Sequence, residues 1–267
     1  MSKTERDQLL TLPKKKFNFL NLIWLIIFIG GIFVSTDVTK TSLGAFFANF
    51  SQFTDIFVQM MHPDWSYLGT VVPLLLETIK MAILGTVIGS VVAFIYALLI
   101  ARNIVKNQAV TGVLRIMMNI IRTVPDLLLG AIFVAIVGIG PVAGVLALAI
   151  ATFGIVVKLF YEAIETIDPG PIEALTAVGA NKLQIIVFAV LPQVMTYFIS
   201  YCLYAFEINV RASTVLGYIG AGGIGLYLQQ TLQVFDYGKT GTIIIVIIVV
   251  VVLIDYVSSK SREALME

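Results

Sequence analysis

Residues 168–192 read DPGPIEALTAVGANKLQIIVFAVLP and form the longest polar interruption in the second half of a very apolar sequence. Pro169 and Pro171 each lack a backbone N–H and restrict the residue before them, so a helix that arrives from upstream must end here. A short helix can then begin near Pro171. Its first turn would hold Glu173, beside the positive end of the helix dipole.

The same stretch also predicts where the short helix ends and where a second helix begins. Ile172, Leu175 and Val178 recur at three-residue spacing and therefore share one side. Gly179 can end the first helix, and Asn181 can cap a second helix that runs into apolar sequence. Two short helices around a glycine would form either an ordinary loop or a projecting element that binds a partner protein.

The composition indicates an integral membrane protein. Of the 267 residues, 59% are hydrophobic and 12% are charged, whereas soluble domains carry about 25% charged residues. Mean hydropathy is +0.99. A net charge of +1 provides no global field for nucleic acid. One cysteine excludes an internal disulfide, and a single histidine beside it argues against a His/Cys metal site.

Six apolar stretches are long enough to cross a bilayer as helices. They are residues 17–34, 74–100, 116–137, 142–161, 185–206 and 240–257. Pro125 should kink the third and Pro192 should bend the fifth. Phenylalanines at three- and four-residue steps over residues 43–60 predict an amphipathic interfacial helix. The predicted fold is therefore an all-α integral membrane protein.

Three regions follow from these spans. Residues 1–73 comprise a cytoplasmic tail, the first span and an extracytoplasmic interfacial segment; residues 74–258 form the core; residues 259–267 form a cytoplasmic tail. Basic residues of several loops fall on one side of the membrane in this arrangement, and the positive-inside rule predicts that this side is cytoplasmic. Both termini and the 168–192 loop lie on the same side. Its basic residues are Lys14, Lys15, Lys16, Arg102, Lys106, Arg115, Lys182, Lys260 and Arg262, against Lys40 and Lys239 on the other side.

The 168–192 loop resembles the E-A-A…G…L-P loop of the inner-membrane permeases of ABC importers. The spacing from glutamate to glycine and on to Leu-Pro matches. Leu175 replaces the second alanine of that pattern, and Ala189 stands where an isoleucine is usual. In that family the loop forms the coupling helix that sits in a groove of the ATPase subunit. The residues that the resemblance assigns to coupling are Glu173, Ala174, Leu175, Val178, Gly179, Leu191 and Pro192.

Four further segments look like the phosphonate-type permeases, which carry phosphonate, phosphite or phosphate. They are HPDWSYL (62–68), GPVAGVLALAI (140–150), KLFYEAIETIDPGPIEAL (158–175) and NVRASTVLGYIGAGGIG (209–225). The resemblance implies a type I importer permease that forms a homodimer in the bacterial inner membrane. Its partners would be two ATP-binding subunits, which hold ATP and Mg²⁺, and an extracytoplasmic substrate-binding protein. The chain itself would hold no cofactor.

Charged residues within the spans are candidates for the translocation path, because bilayer burial of a charge costs about 2.5 to 3.5 kcal/mol on insertion scales. Arg122 and Asp126 are four residues apart and can pair on one helix face, as can Glu207 and Arg211. Each pair is either a self-neutralising structural pair or a path group. The resemblance favours Arg211, because the glycine-rich segment that it enters lies near the outer end of the path.

Glycines of that segment permit either a gating hinge or a packed turn. Gly220, Gly222 and Gly223 are the candidate hinge residues, beside Gly217 and Gly225. The G-x-x-x-G pairs at 85/89 and 140/144 favour close helix packing. Glu173 either binds a basic group on the ATPase or only complements the helix dipole. Lys158, Glu162 and Glu165 are interpreted as a snorkelling lysine and solvated carboxylates.

Two other functions compete with this interpretation. A permease for another cargo, such as methionine, would share the loop. An integral-membrane phosphatase or transferase would need a nucleophile and proton-transfer groups, which a lone histidine and few paired carboxylates do not favour. Gly238-Lys239-Thr240 resembles the end of a P-loop, but Gln233 occupies the place of the leading glycine. No catalytic residue is predicted.

Overall fold

The computed structural model describes residues 19–39 and 43–266, and within them every regular element is a helix. The predicted N-terminal tail, residues 1–16, and Lys40 lie outside the described residues. The chain divides into two compact units between Phe57 and Val58. The all-helical membrane fold predicted from composition is confirmed.

The first unit contains α1 (Phe19–Val38), α2 (Leu43–Ala48) and most of α3 (Phe50–Met60). The predicted interfacial helix is thus helical in two pieces. Three phenylalanines follow one side of α3. The ring centroids of Phe50 and Phe53 lie 5.9 Å apart, and those of Phe53 and Phe57 lie 6.4 Å apart. Three- and four-residue steps place these rings on one face, as the sequence predicts.

The second unit is a helical bundle with a 3₁₀ turn at Trp65–Tyr67 and a π-helical segment at Ile186–Val190. Its remaining elements are α4 (Leu68–Ile100), α5 (Gln108–Thr123), α6 (Asp126–Val137), α7 (Pro141–Glu165), α8 (Gly170–Ala177), α9 (Lys182–Ile185), α10 (Leu191–Gly217), α11 (Gly223–Gln233) and α12 (Tyr237–Met266).

The described residues hold four helices that are long and apolar enough to cross a membrane, or up to five if the bent pair α5–α6 counts as one span. The sequence predicted six. The first predicted span corresponds to α1, in which Leu22–Val38 is a further apolar helical stretch. Several spans also run further than predicted. The longest extensions are at α10, which continues to Gly217, and at α12, which continues to Met266, so residues 259–266 of the predicted tail are helical.

The predicted kink in the third span is a bend of 86° between α5 and α6. Val124 is extended, with ψ 120°, and Pro125 is the N-cap of α6. Proline disfavours the helical conformation for the residue before it, so α5 must end at this point. The bend places Arg122 and Asp126 on two different helices.

Two glycines allow α4 to pack closely against α7. A Cβ on Gly85 would lie 2.6 Å from Leu148 Cβ, and one on Gly89 would lie 2.7 Å from Thr152 Cβ and press on the Ala149 carbonyl. Real side chains do not approach so closely, so this G-x-x-x-G pair serves helix packing.

Helices α4, α7 and α10 share the centre of the bundle. The rings of Phe94, Phe160 and Phe198, one from each helix, lie 4.8 to 5.5 Å apart. Nearby, the buried Asn209 amide donates to Thr86 Oγ1 at 2.8 Å and Thr152 Oγ1 at 2.6 Å. A buried amide left unpaired is costly, so these bonds fix the rotation of all three helices.

The core unit starts before the predicted boundary at residue 74. Asp64 N–H donates to Gly238 O at 3.2 Å, and Thr242 Oγ1 donates to Asp64 O at 2.9 Å. Gly241 packs against the Met60 backbone so closely that a Cβ would clash. Residues 58–67 are therefore anchored to the start of α12.

Candidate functional site

The first short helix of the 168–192 loop, α8, forms as the sequence predicts. Pro171 lies at its beginning and Glu173 in its first turn. Asp168 Oδ1 accepts a hydrogen bond of 2.9 Å from Gly170 N–H, which satisfies a backbone donor that the start of a helix leaves free. Glu173 thus complements the helix dipole whether or not it also binds a partner.

A glycine and an asparagine separate α8 from α9. Gly179 has φ +81°, a left-handed conformation that glycine adopts without steric cost. Asn181 and Gln184 form a reciprocal capping box. Asn181 N–H donates to Gln184 Oε1 at 2.8 Å, and Gln184 N–H donates to Asn181 Oδ1 at 2.9 Å. The predicted helix end at Gly179 and the predicted helix cap at Asn181 are both confirmed.

The entry into α10 passes through the π-helical segment rather than a simple kink. Leu191 N–H donates to Ile186 O, five residues back. This wider turn lies directly before Pro192, which has no N–H to donate and lies at the beginning of α10. π-Turns of this kind are uncommon and occur often at functional sites.

The outer surface of the loop is apolar and uncovered in the single chain. Val178 is 78% exposed, Leu183 73% and Phe188 69%. Glu173 and Ala174 are also exposed. Ile172 and Leu175 are only half-buried, and Ile172 packs against the bundle core. Val178 therefore does not share their inward side, contrary to the three-residue spacing argument.

Gln193 closes the loop at its base. Its Oε1 accepts from Asp168 N–H at 3.1 Å, and its Nε2 donates to Ala189 O at 2.8 Å. Beside it lies a cavity of about 520 Å³ between α7 and α10, and Glu162, Asp168, Tyr197 and Tyr201 contribute to its walls. The loop is thus held at both ends by one side chain.

An ion pair anchors the helix that leads into the loop. Arg115 donates to Glu165 at 2.5 Å and to Ile100 O at 2.8 Å, and Arg102 N–H donates to the same Glu165 oxygen at 2.7 Å. The Arg115 guanidinium also lies 4.5 Å from the centroid of the Tyr161 ring. Glu165 therefore joins α4, α5 and α7, and the interpretation of Glu165 as a merely solvated carboxylate is wrong.

The second candidate region is a charge network on α10. Arg211 donates to Glu207 Oε1 at 2.6 Å, which confirms that this pair forms. Arg262, from the end of α12, donates to Glu207 Oε2 at 3.1 Å. The Glu207 side chain is 8% exposed, whereas Arg211 is 54% exposed. Two arginines share one carboxylate, so the network carries an excess positive charge.

Arg211 belongs to an exposed polar stripe on α10 and its C-cap residue, Tyr218. Tyr197, Tyr204, Arg211 and Tyr218 follow one another at seven-residue intervals, and all four are exposed. Seven residues are about two helical turns, so the four side chains share one face. Charged groups at membrane depth face a bundle interior or a water-filled cavity rather than lipid. This face of α10 is therefore the candidate wall of a polar path.

The glycine-rich turn between α10 and α11 is buried and closely packed. Gly220, Gly222 and Gly223 all have positive φ, between 68° and 95°. Gly140 N–H donates to Gly220 O at 3.0 Å, and Ile224 N–H donates to Thr78 Oγ1 at 2.8 Å. The structure shows the packed turn; a hinge motion stays a prediction.

The other pair predicted for the path does not form. Arg122 and Asp126 are both exposed, and no ion pair joins them in the described part of the chain. The expected pairing on one helix face is wrong, because the helix ends between them. The Arg122 stem instead packs over Gly154 of α7, where a Cβ would lie 2.7 Å from Arg122 Cγ.

The P-loop-like residues Gly238-Lys239-Thr240 lie in the first turn of α12. Lys239 Nζ lies 2.7 Å from Asp236 Oδ2, and its backbone N–H donates to Asp236 Oδ1 at 3.2 Å. These hydrogen bonds lower the pKa of Asp236. No cluster of three or more His, Cys, Asp or Glu residues that could hold a metal ion occurs in residues 19–39 and 43–266.

A family comparison covers most of the bundle. Residues 85–260 match the model of the "binding-protein-dependent transport system inner membrane component" family. The chain belongs to this family. The match includes the 168–192 loop, the glycine-rich turn and Glu207 with Arg211, so the features described above are parts of a transport permease.

Curated relatives of this permease share substantial identity. The phosphite transport system permease protein PtxC of Stutzerimonas stutzeri is 42% identical over 77% of this chain and 74% of its own length. The phosphate-import permease protein PhnE of Mycolicibacterium smegmatis is 35% identical over 79% of this chain and 40% of its own. A putative cryptic phosphonate permease of Escherichia coli, PhnE2, is 50% identical over 44% of this chain and 97% of its own.

A solved structure supports the permease fold. A chain of the inward-facing MetNI methionine ABC transporter superimposes with a TM-score of 0.68, covering 76% of this permease and 99% of that chain. The two sequences are 22% identical, so the likeness concerns the fold.

Sequence reasoning missed two parts of the permease site. Arg262 was counted only as a basic residue of the terminal tail, and no local signal links it to Glu207, 55 residues away. The tyrosines of the α10 stripe were also missed, although their seven-residue spacing around Arg211 is visible in the sequence. Searching for polar residues on one face of an apolar span would have found them.

Proposed function

We propose that this permease forms the translocation path of an ATP-driven importer for a phosphorus oxyanion: phosphonate, phosphite or phosphate. The observation that carries the proposal is the identity of 35 to 50% to permeases named for these three anions. The chain itself acts as the transport subunit, and ATP with Mg²⁺ is bound and hydrolysed by partner subunits.

The charge network supports an anionic cargo. Glu207, Arg211 and Arg262 together carry one excess positive charge. Arginine presents a planar fork of donors that matches the oxygens of a phosphorus oxyanion. The tyrosine hydroxyls of the α10 stripe add hydrogen-bond donors on the same face. Methionine, a zwitterion, would gain less from this excess charge.

The 168–192 loop is the proposed contact with the ATPase. An amphipathic helix laid in a groove is a common recognition mode, and Val178 and Leu183 give this loop an exposed apolar surface to bury. Arg115 and Glu165 would transmit a push on the loop from α7 to α4 and α5, because they tie α7, the helix before the loop, to α5 and to the end of α4.

The proposed assembly has two copies of the permease, two ATPase subunits and one extracytoplasmic binding protein. The exposed α10 stripe would face the second copy across the path. Arg102, Lys106 and Lys182 support a cytoplasmic position for the loop by the positive-inside rule, and the proposed topology has both termini on that side.

Uptake by reconstituted vesicles tests this function. Vesicles that hold the permease with its ATPase, supplied with the binding protein and ATP, should accumulate labelled phosphite, phosphate or methylphosphonate and not methionine. Permease without the ATPase should accumulate none. Accumulation of methionine alone would show that the cargo is methionine and not a phosphorus oxyanion. Cleavage of a phosphoester by the isolated permease would indicate an enzyme instead of a transport subunit.

A further inference from the structure

The two arginines that share Glu207 are held very differently. Arg211 lies one turn further along the same helix and reaches the carboxylate from the exposed face of α10. Arg262 reaches it from α12, and its side chain is 20% exposed against 54% for Arg211. One partner of the carboxylate is therefore accessible to the path, while the other is enclosed by protein.

Arg262 is fixed by additional contacts. Its Nη2 also donates to Ser259 Oγ at 2.9 Å, and its guanidinium lies 5.8 Å from the centroid of the Tyr204 ring. Its Nη1 is buried and has no hydrogen-bond partner among the described residues. This nitrogen is a spare donor on the same planar fork that already binds Glu207 Oε2.

We propose that Arg262 is a charge-compensating residue that lets Arg211 leave Glu207 and bind the cargo anion. This inference rests on the proposed function. When Arg211 turns to the anion, Glu207 keeps Arg262, whose spare Nη1 can supply the second hydrogen bond of a bidentate arginine–carboxylate pair. Arg211 then returns to Glu207 when the anion moves on.

The physical reason lies in the burial of Glu207. A buried carboxylate that loses its only partner carries a large desolvation penalty, so a lone Arg211 would stay on Glu207 and not turn to cargo. With Arg262 in place, the carboxylate never becomes an uncompensated buried charge. Arg211 is more than half exposed, so its exchange between two anionic partners requires little desolvation.

Charge-matched double variants separate this mechanism from simple electrostatics. Glu207→Gln with Arg262→Gln leaves Arg211 as the one charge of the network, and Glu207→Gln with Arg211→Gln leaves Arg262. Both keep the network's single excess positive charge. The inference requires the first variant to take up anion and the second to fail, although their charge is the same.

The single variant Arg262→Gln should lower phosphite uptake by about tenfold, the size expected for one charge-assisted hydrogen bond. Adding Glu207→Gln should restore most of the uptake, because Arg211 is then no longer held. A purely structural role for Arg262 would not be rescued in this way, since the contacts to Ser259 and Tyr204 stay lost in the double variant.

Lys260→Gln is the matched control, because it removes a positive charge two residues away from an exposed position paired only with exposed Glu263 among the described residues. It should leave uptake unchanged. Co-purification of the ATPase and its hydrolysis rate in vesicles report assembly separately. Wild-type vesicles in the same assay test the cargo, so a wrong cargo is recognised before any variant is interpreted.

Three results would overturn the inference while wild-type uptake is normal. Full uptake by Arg262→Gln would show that Glu207 needs no second partner. Uptake by the variant that retains Arg262, or loss of uptake in both double variants, would show that Arg211 is not the group that is released to the anion.

Discussion

At the residue scale, Arg211 combines exposure with a buried partner. Its guanidinium lies on the exposed face of α10, and the Glu207 carboxylate that it binds at 2.6 Å is buried. Because Arg262 also binds this carboxylate, removal of Arg211 leaves Glu207 paired. A substitution here can therefore change transport without creating a lone buried charge.

Replacing Arg211 with alanine should reduce anion uptake by at least about tenfold, the loss expected for a charge-assisted contact to cargo. Assembly with the ATPase should remain intact, as measured by co-purification. Arg211→Lys should retain part of the uptake, because it keeps the charge and loses the donor fork. A normal uptake rate in Arg211→Ala would exclude Arg211 from the path.

At the element scale, the 168–192 loop is organised by local signals that the sequence displays. Proline starts α8, Gly179 ends it and the Asn181–Gln184 box starts α9. Each of these acts through its immediate chain neighbours, and so each was predictable. The outward position of Val178 was not, because the tertiary contact of Ile172 with the core sets the rotation of α8.

Replacing Ala174 with arginine should uncouple ATP hydrolysis from uptake or prevent binding of the ATPase. Ala174 lies on the exposed side of α8, where a long charged side chain would project into the partner's groove and not into the permease core. The permease alone should keep its melting temperature. Ala174→Ser, which keeps the surface shallow, is the control, and unchanged coupled transport in Ala174→Arg would remove the coupling assignment.

At the scale of the whole molecule, close helix packing sets the width of the bundle. Gly89→Ala should destabilise the permease by about 1 to 3 kcal/mol, because a Cβ there overpacks α4 against the backbone of α7. Thermal unfolding in detergent measures the effect.

Gly112→Ala on α5 is the matched control, since open space surrounds a Cβ at that position. Alanine favours a helix over glycine by about 1 kcal/mol, so this variant should be as stable as the wild type or more stable. Equal melting temperatures for the two variants would show that α4 and α7 can separate at no cost.

The orientation of the whole chain can be tested with a single introduced thiol. Cys202 is the one native cysteine, so Cys202→Ser gives a cysteine-free background. In it, Ala177→Cys on the exposed side of α8 should react with a membrane-impermeant maleimide only after the cells are permeabilised. Labelling of intact cells would place the loop outside and contradict its role in binding the ATPase.

Local sequence signals were enough to establish the membrane class, the all-helical fold, the two short helices of the loop, the break at Pro125 and the Glu207–Arg211 pair. These depend on composition, on the length of apolar stretches and on residues within four positions of one another. The interactions that produce these features are between near neighbours in the chain, so the amino-acid sequence predicts them directly.

Contacts between residues that are far apart in the sequence, by contrast, were apparent only from the tertiary structure of the bundle. Arg262 with Glu207, Arg115 with Glu165, and Asn209 with Thr86 join residues 50 to 123 positions apart. The size of the turn at Pro125, 86°, which separates Arg122 from Asp126, was likewise not apparent from the local signal. Such contacts depend on the rotation and depth of each packed helix, which follow from close fits such as Gly89 against α7. No short-range pattern in the chain encodes that fit.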